Sequence, residues 1–135
     1  MSNQLSQIKW VRVILTALTV YIVSSLAIFI VVTGYAFTLA FQARGAPDQT
    51  LINAFANQSA SWVGPICLIV FTLLGAMHMA RRVDTAIRSN GIALGIFASI
   101  VYLLFIGIRT FDLGVLLTVV LTIGAGWFGS KLVRK

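Results

Sequence analysis

The side chain best suited to binding a metal ion or haem is the single histidine, His78, which lies between Met77 and Met79. Imidazole and thioether groups are ligands in copper and haem sites. A metal site normally needs several convergent ligands, however, and the single Cys67 is eleven residues away, about 16 Å along a helix. The pattern predicts a histidine near a membrane interface, with His78 as a ligand only if several copies bring their imidazoles together.

Nucleophilic catalysis would require a serine or cysteine beside a general base. Ser24 and Ser25 have no base nearby in the sequence, and Cys67 lies inside an apolar stretch without a second cysteine for a disulfide. We therefore predict that the protein is not an enzyme, with no catalytic residue, cofactor or metal ion.

The segment from Gly124 to Gly129 matches the dinucleotide-binding fingerprint G-x-G-x-x-G letter for letter. That motif works where it follows a strand and opens a helix whose N-terminus meets a pyrophosphate. Here it closes an apolar segment and leads into a basic tail, so its context excludes dinucleotide binding.

Composition indicates the class of protein, because 59% of the 135 residues are hydrophobic, only 10% are charged and the mean hydropathy is +1.00. A soluble domain of this size needs about a quarter of its residues charged. The chain is therefore predicted to be a membrane protein. Its net charge of +7 does not indicate a nucleic-acid partner, because the basic residues lie singly or in pairs beside apolar segments.

Charged residues divide the sequence into four apolar segments that can each cross a bilayer. We predict one all-α domain, a transmembrane four-helix bundle, with spans at residues 13–41, 62–80, 91–108 and 113–130. The last three spans would be about 27 to 29 Å long, close to the hydrocarbon core of about 30 Å. The first would be about 43 Å long, so we expect it to protrude beyond Thr33.

The distribution of positive charges predicts the orientation, because Lys and Arg beside short loops stay in the cytoplasm. Of ten basic residues, eight lie on one side of the predicted bundle: Lys9, Arg12, Arg81, Arg82, Arg88, Lys131, Arg134 and Lys135. Both termini are expected to be cytoplasmic in a bacterial inner membrane, with all copies pointing the same way. The first apolar segment is too long for a cleaved signal peptide, which predicts an uncleaved signal anchor.

The one sizeable segment between spans is the outer loop at residues 42–61. A proline precedes Asp48, which is typical of a helix start with Asp48 as N-cap. The next residues place Leu51, Ile52 and Phe55 on one apolar face. The sequence therefore predicts a short interfacial helix between spans one and two, lying flat on the outer membrane surface.

No Asp, Glu, Lys or Arg lies in the central part of any predicted span. Ion-coupled transporters and proton relays usually depend on such charges, so the pattern disfavours both activities. Each aspartate is expected to act locally at a helix edge: Asp48 and Asp112 as N-caps, and Asp84 as the partner of Arg88.

Small residues recur every four positions in the last span and in part of the third, which is the strongest pattern in the sequence. Residues four apart share one face of a helix, and small side chains let helices approach closely in lipid. The predicted helix-packing residues are Gly91, Gly95, Ser99, Gly114, Thr118, Thr122, Gly126 and Ser130. We expect spans three and four to pack tightly, within one bundle or between copies.

With four spans, a loop reading Gly-Ala-Pro-Asp-Gln at residues 45–49 and a last helix ending Gly-Ala-Gly-Trp-Phe-Gly-Ser-Lys at residues 124–131, the chain resembles small uncharacterised bacterial four-span membrane proteins. This resemblance covers most of the chain and implies no activity. Small multidrug transporters are similar in length, but they carry a glutamate in the first span that this chain lacks. Small dual-topology fluoride channels also have this size, but the charge bias here disfavours their antiparallel assembly.

Abundant packing residues without a chemical site favour a non-enzymatic accessory or scaffold subunit of a membrane assembly. Its expected partners are the lipid bilayer and either further copies of the chain or other membrane subunits. The alternative is a small oligomeric channel or permease with a polar path lined by hydroxyls, from Thr16, Thr19, Ser24, Thr72, Thr118 and Thr122. A haem or quinone protein that uses His78 is a third hypothesis.

Overall fold

The computed structural model describes residues 7–83, 86–106 and 112–133. These residues form four α-helices, which are α1 (Trp10–Ala43), α2 (Gln49–Arg82), α3 (Ile87–Ile106) and α4 (Leu113–Leu132). Each helix is long and apolar enough to cross a membrane. The prediction of an all-α four-helix bundle with four spans is confirmed.

Successive helices run in opposite directions, so the first residues of α1 and α3 lie at the same end of the bundle as the last residues of α2 and α4. The backbone N–H of Lys9 donates to Asn90 Oδ1 at 3.0 Å, and Arg12 Nη1 donates to the Arg82 carbonyl at 3.2 Å. We call this the basic end, because its described residues include Lys9, Arg12, Arg81, Arg82, Arg88 and Lys131.

The two helix pairs differ in length. Helices α1 and α2 have 34 residues each, whereas α3 and α4 have 20 each. At 1.5 Å per residue these lengths are about 51 Å and about 30 Å. Because all four helices are level at the basic end, the surplus of about 21 Å extends from the opposite end. We call this extension, residues 30–43 and 49–62, the projecting hairpin.

The prediction of a short interfacial helix between spans one and two is wrong. Helix α2 begins at Gln49 and continues without a break to Arg82, so most of the segment assigned to the outer loop belongs to a long helix. Pro65 lies inside α2, where it removes one backbone hydrogen bond without ending the helix. Residues 49–63 contain no glycine or proline, so no helix-breaking residue separates the predicted short helix from the span that follows.

Phe55, on the apolar face that suggested contact with lipid, packs against α1 instead, whereas Leu51 on the same face is 49% exposed. Phe55 stacks on Tyr35, with ring centroids 3.9 Å apart and ring planes 21° from parallel. An apolar helix face meets lipid or another helix equally well, and the periodicity is the same in both cases. The sequence pattern therefore predicted the apolar helical face correctly, but it did not predict that Phe55 contacts α1.

Residues 44–48 make the short connection between α1 and α2. Arg44 adopts the left-handed conformation, with φ 50° and ψ 32°, and its N–H bonds to the Ala40 carbonyl. A left-handed residue after the last helical turn is a common way to end a helix and turn the chain. Asp48 then caps α2 as predicted, accepting a hydrogen bond from the Thr50 N–H at 2.8 Å.

Asp112 caps α4 as predicted, because its side chain accepts a hydrogen bond from the Val115 N–H at 2.9 Å. The expected pair of Asp84 with Arg88 lies outside what the structure describes, because Asp84 is not among the described residues. Arg109, Arg134 and Lys135 also fall outside them.

The interior of the bundle is built from small and medium side chains. Val13, Ala17 and Ala76 are almost completely buried, whereas Phe29 and Leu104 are 67% and 70% exposed on the outside. Large apolar groups therefore face outward. This arrangement suits a lipid solvent, in which helices gain from close contact and large apolar side chains need no burial.

Asp48 provides a test of the cap. Hydrogen bonds from the hydroxyl and the backbone N–H of Thr50 lower the pKa of the Asp48 carboxyl below its ordinary value of 3.8. A lowered pKa means that the cap is fully formed above pH 3.8 and is lost as the pH falls through the pKa of the folded state. Thr50→Val should raise the pKa of Asp48, as measured by NMR titration of the carboxyl carbon.

Thr38→Val is the matched control, because the Thr38 hydroxyl bonds to the Tyr35 carbonyl within α1. This change should leave the pKa of Asp48 as it is. A pKa of 3.8 or higher in the unmodified chain would show that the cap does not form.

Candidate functional site

The candidate site is the set of contacts through which α4 packs between α2 and α3. Two adjacent faces of α4 meet these two neighbours. Gly126 and Ser130 lie against α3, and Gly129 lies against α2. All three residues are buried. The small residues of one helix therefore serve two different contacts.

Gly91 and Gly126 bring the backbones of α3 and α4 together. A Cβ atom placed on Gly91 would lie 2.5 Å from the Gly126 carbonyl oxygen and 2.7 Å from Ser130 Cβ. A Cβ on Gly126 would overlap the Gly91 carbonyl oxygen. Real Cβ atoms essentially never lie within 3.0 Å of such atoms, so this helix separation requires glycine on both sides.

Gly95 makes the next contact along α3, one turn further from the basic end. A Cβ on Gly95 would lie 2.7 Å from Ile123 Cα and 2.9 Å from the Thr122 carbonyl oxygen. Ser99 follows after another turn, is buried, and donates from its hydroxyl to the Gly95 carbonyl at 2.8 Å. Close backbone approach therefore extends over at least one turn of each helix.

The contact between α4 and α2 is equally close. A Cβ on Gly129 would lie 2.5 Å from the Leu73 carbonyl oxygen and 3.0 Å from Ala76 Cβ. Both groups belong to α2, which has its own small residues at Gly64, Thr72 and Ala76. Because backbone atoms oppose Gly129, a larger residue there would force the two helices apart.

The small-residue stripe of α4 is packed over only part of its length. Thr118 and Thr122 are buried, but Gly114 is exposed. A Cβ on Gly114 would meet only the Asp112 side chain, with its nearest atom at 3.3 Å. The structure therefore brings Gly91, Gly95, Thr122, Gly126 and Ser130 together and leaves Gly114 outside the contact.

Most buried hydroxyls in this region bond to their own helix. Thr118 donates to the Gly114 carbonyl at 2.8 Å, and Thr122 donates to the Thr118 carbonyl at 2.7 Å. Ser130 donates to the Trp127 carbonyl at 2.7 Å. A hydroxyl bonded this way needs no partner on a neighbouring helix. The Thr118 side chain also hydrogen-bonds with the Tyr102 side chain of α3. Close packing, together with this hydrogen bond, therefore joins α3 and α4.

Thr72 is the exception. It is completely buried on α2, and its Oγ1 is the one buried side-chain polar atom in the described residues without a hydrogen bond. The other hydroxyls proposed for a polar path differ: Thr19 is exposed and bonds to the Leu15 carbonyl, and Ser24 bonds to Val20. Thr16 packs its methyl group near Gly75.

His78 is exposed on the outside of α2, and Cys67 is half-buried. Within residues 7–83, 86–106 and 112–133, no three His, Cys, Asp or Glu side chains come close enough to hold a metal ion. In a single chain, His78 therefore does not belong to a set of three possible metal ligands among these residues.

Sequence reasoning did not identify Asn90, which joins the starts of α1 and α3. Its side chain is buried; Oδ1 accepts from the Lys9 N–H at 3.0 Å, and Nδ2 donates to the Ala86 carbonyl at 3.0 Å. The sequence does contain a hint of this role, because Asn90 lies beside a long apolar segment. A buried amide is costly without hydrogen-bond partners, so such a residue is expected to join neighbouring elements.

The glycine contacts predict a sharp difference between two neighbouring positions. Gly126→Ala should destabilise the bundle by about 1 to 3 kcal/mol, because the new methyl group meets the backbone of α3. Gly124 is the matched control, since a Cβ there meets nothing within 4 Å. Gly124→Ala should be neutral or stabilise by up to about 1 kcal/mol through helix propensity. Unfolding in mixed micelles measures both, and equal effects would contradict the close contact.

The unbonded hydroxyl of Thr72 gives a second test. Thr72→Val replaces the hydroxyl by a methyl group of similar size and should stabilise the protein by up to about 1 kcal/mol. Thr122→Val is the control, because it removes a hydroxyl that is bonded to the Thr118 carbonyl. The same unfolding assay compares them. A loss of stability in Thr72→Val would show that Thr72 has a partner in the membrane.

Comparison of the chain with models of protein families, with curated proteins and with solved structures finds no match. The architecture of the chain is that of an integral membrane protein with four candidate spans, each formed by one long apolar helix.

Proposed function

We propose that the protein is a non-enzymatic accessory or scaffold subunit of a membrane assembly and that it contacts its partner through the projecting hairpin. Gly91, Gly95, Gly126 and Gly129 are covered by neighbouring helices of the same chain, so this part of the small-residue faces does not offer a free surface. The observation that carries the proposal is the exposure of two phenylalanines on the hairpin, 75% for Phe37 and 85% for Phe41.

The projecting hairpin has two chemically different sides. Its α1 side carries Ile30, Phe37 and Phe41, which are all exposed. Its α2 side exposes the polar residues Asn53 and Asn57 as well as Leu51 and Trp62. A large exposed apolar patch like that of the α1 side is typical of a surface that a partner covers.

A groove on the apolar side has room for several side chains of a partner. Its volume is about 320 Å³, and it is lined by Phe37, Thr38, Phe41 and Gln42. The walls are almost entirely apolar. Aromatic side chains beside such a groove are the kind of residue that dominates the energy of protein interfaces.

Lipid covers this surface less well than a protein partner does. The four-helix part of the bundle, about 30 Å long, already matches the hydrocarbon core of a bilayer. If the hairpin were also inside the hydrocarbon, the amides of Asn53 and Asn57 would lose their hydrogen bonds with water. If an apolar helix of a membrane partner, or of a second copy, covers the α1 side, the amides of the α2 side can stay in contact with water.

The proposal includes an orientation. The basic end faces the cytoplasm, as expected from the retention of Lys and Arg on that side of a membrane. The projecting hairpin then stands on the outer side of a bacterial inner membrane. A partner would therefore meet it at or above the outer headgroups.

A channel or permease is the other function considered for this chain. The hydroxyls of Ser24, Thr118 and Thr122 bond to their own helices, which supports a closed packing role more than a polar path. Solute-selective flux through liposomes, lost in Thr118→Val and Thr122→Val, would support the channel instead.

Site-specific crosslinking tests the hairpin as the partner surface. In a chain with Cys67→Ser, a photocrosslinker attached at Phe37→Cys or Phe41→Cys should capture a membrane protein in cells. Asn57→Cys is the matched control on the polar side of the same hairpin and should capture little. Phe41→Asp should weaken co-purification of the partner at least about 30-fold, as expected for an aromatic anchor.

The captured product also identifies the partner by its mass. A band at twice the mass of the chain indicates a second copy, and any other reproducible band indicates a different subunit. No capture from Phe37 and Phe41, or equal capture from Asn57, would show that the hairpin is not the contact surface.

A further inference from the structure

The described residues of the basic end carry positive charge without a carboxylate among them to balance it. They include six cations, which are Lys9, Arg12, Arg81, Arg82, Arg88 and Lys131. The two aspartates among the described residues, Asp48 and Asp112, lie at the other end, where they cap α2 and α4. An anion at the basic end would therefore meet an excess of positive charge.

Arg12 and Arg82 form the most closely defined pair of cations at this end. Arg12 Nη1 donates to the backbone carbonyl of Arg82 at 3.2 Å, which holds the Arg12 guanidinium beside the residue that carries the second one. Both side chains are exposed, and neither forms an ion pair with any described residue. An anion bound near this hydrogen bond would meet positive charge from residues of both helices.

The surroundings of this pair are those of a headgroup region. Trp10 lies two residues before Arg12, is 44% exposed and packs edge to face on Phe97, with ring centroids 6.0 Å apart. Tryptophan is enriched at the depth of the lipid headgroups. Further into the span, α1 exposes Leu15 and Leu18, along which acyl chains can lie.

We propose that Arg12 and Arg82 bind the phosphate of an anionic phospholipid where the first turn of α1 meets the last turn of α2 at the basic end. The guanidinium groups donate hydrogen bonds to the phosphate oxygens, and the acyl chains run along the exposed leucines of α1. His78 lies four residues before Arg82 and is exposed on the same side of α2, where it can contact the glycerol backbone. A lipid is favoured over soluble phosphate because apolar surface adjoins the cations.

This inference is independent of the proposed partner surface, since the projecting hairpin lies at the other end of the bundle. The two proposals can therefore fail separately. A phospholipid at the basic end would hold α1 and α2 together where they leave the membrane and would add to the preference for a cytoplasmic location.

The experiment uses the full chain in nanodiscs of neutral phosphatidylcholine, with or without phosphatidylglycerol or cardiolipin. Native mass spectrometry measures the lipid retained by the released protein, and the fluorescence of Trp10, in a chain with Trp62→Phe and Trp127→Phe, gives an apparent Kd. The unmodified chain should retain anionic lipid selectively. The double substitution Arg12→Gln with Arg82→Gln should weaken this binding about 25-fold, because each positive charge removed near a membrane surface weakens it about fivefold.

Arg44→Gln, at the opposite end, is the matched control and should leave retention unchanged. Arg12→Lys with Arg82→Lys keeps the charges and should restore most of the binding, which separates lost charge from lost folding. Circular dichroism in neutral lipid checks that all variants have the same helix content.

Three results would overturn the proposal. Equal retention of neutral and anionic lipid by the unmodified chain, or equal loss in Arg44→Gln, would show that no site exists at Arg12 and Arg82. Complete displacement of the lipid by millimolar inorganic phosphate would show that soluble phosphate is the ligand and that the apolar part of the groove contributes nothing.

Discussion

Lipid as the solvent is the constraint on which the rest of this structure depends. Hydrocarbon offers no hydrogen bonds, so each backbone polar group must be satisfied within its own helix. The buried hydroxyls of Ser24, Ser99, Thr118 and Thr122 follow the same rule, because each bonds to a carbonyl one turn earlier. What remains to join the helices is close contact between their surfaces, and that contact requires small residues.

The close contacts of α4 divide the molecule into a closed part and an open part. Near the basic end, Gly126 meets Gly91 on α3 and Gly129 meets Leu73 on α2, so no space remains for another chain on these faces. Beyond the ends of α3 and α4, no described residue of another helix covers the hairpin of α1 and α2 in this way, and Phe37 and Phe41 are exposed. Packing within the chain thus leaves exposed the projecting hairpin, which is the surface that we propose for a partner.

Charge divides the molecule along the same axis. The aspartates away from the basic end act locally, since Asp48 and Asp112 cap α2 and α4. The excess of Lys and Arg lies at the other end, where Arg12 reaches the last turn of α2. The two ends therefore present different chemistry: exposed phenylalanines at the hairpin and a cationic surface at the basic end.

The four candidate spans and the two aspartate caps could be predicted from the amino-acid sequence, because each depends on composition or on residues close together in the chain. Helical periodicity is also local, so the sequence placed Gly91, Gly95 and Gly126 on small-residue faces. Which helix each face meets became visible in the folded chain: Gly129 packs against α2, Gly114 meets no other described helix, and Phe55 stacks on Tyr35 rather than lying on lipid. A small or apolar face is complementary to many surfaces, and the choice among them depends on the lengths and positions of all four helices together.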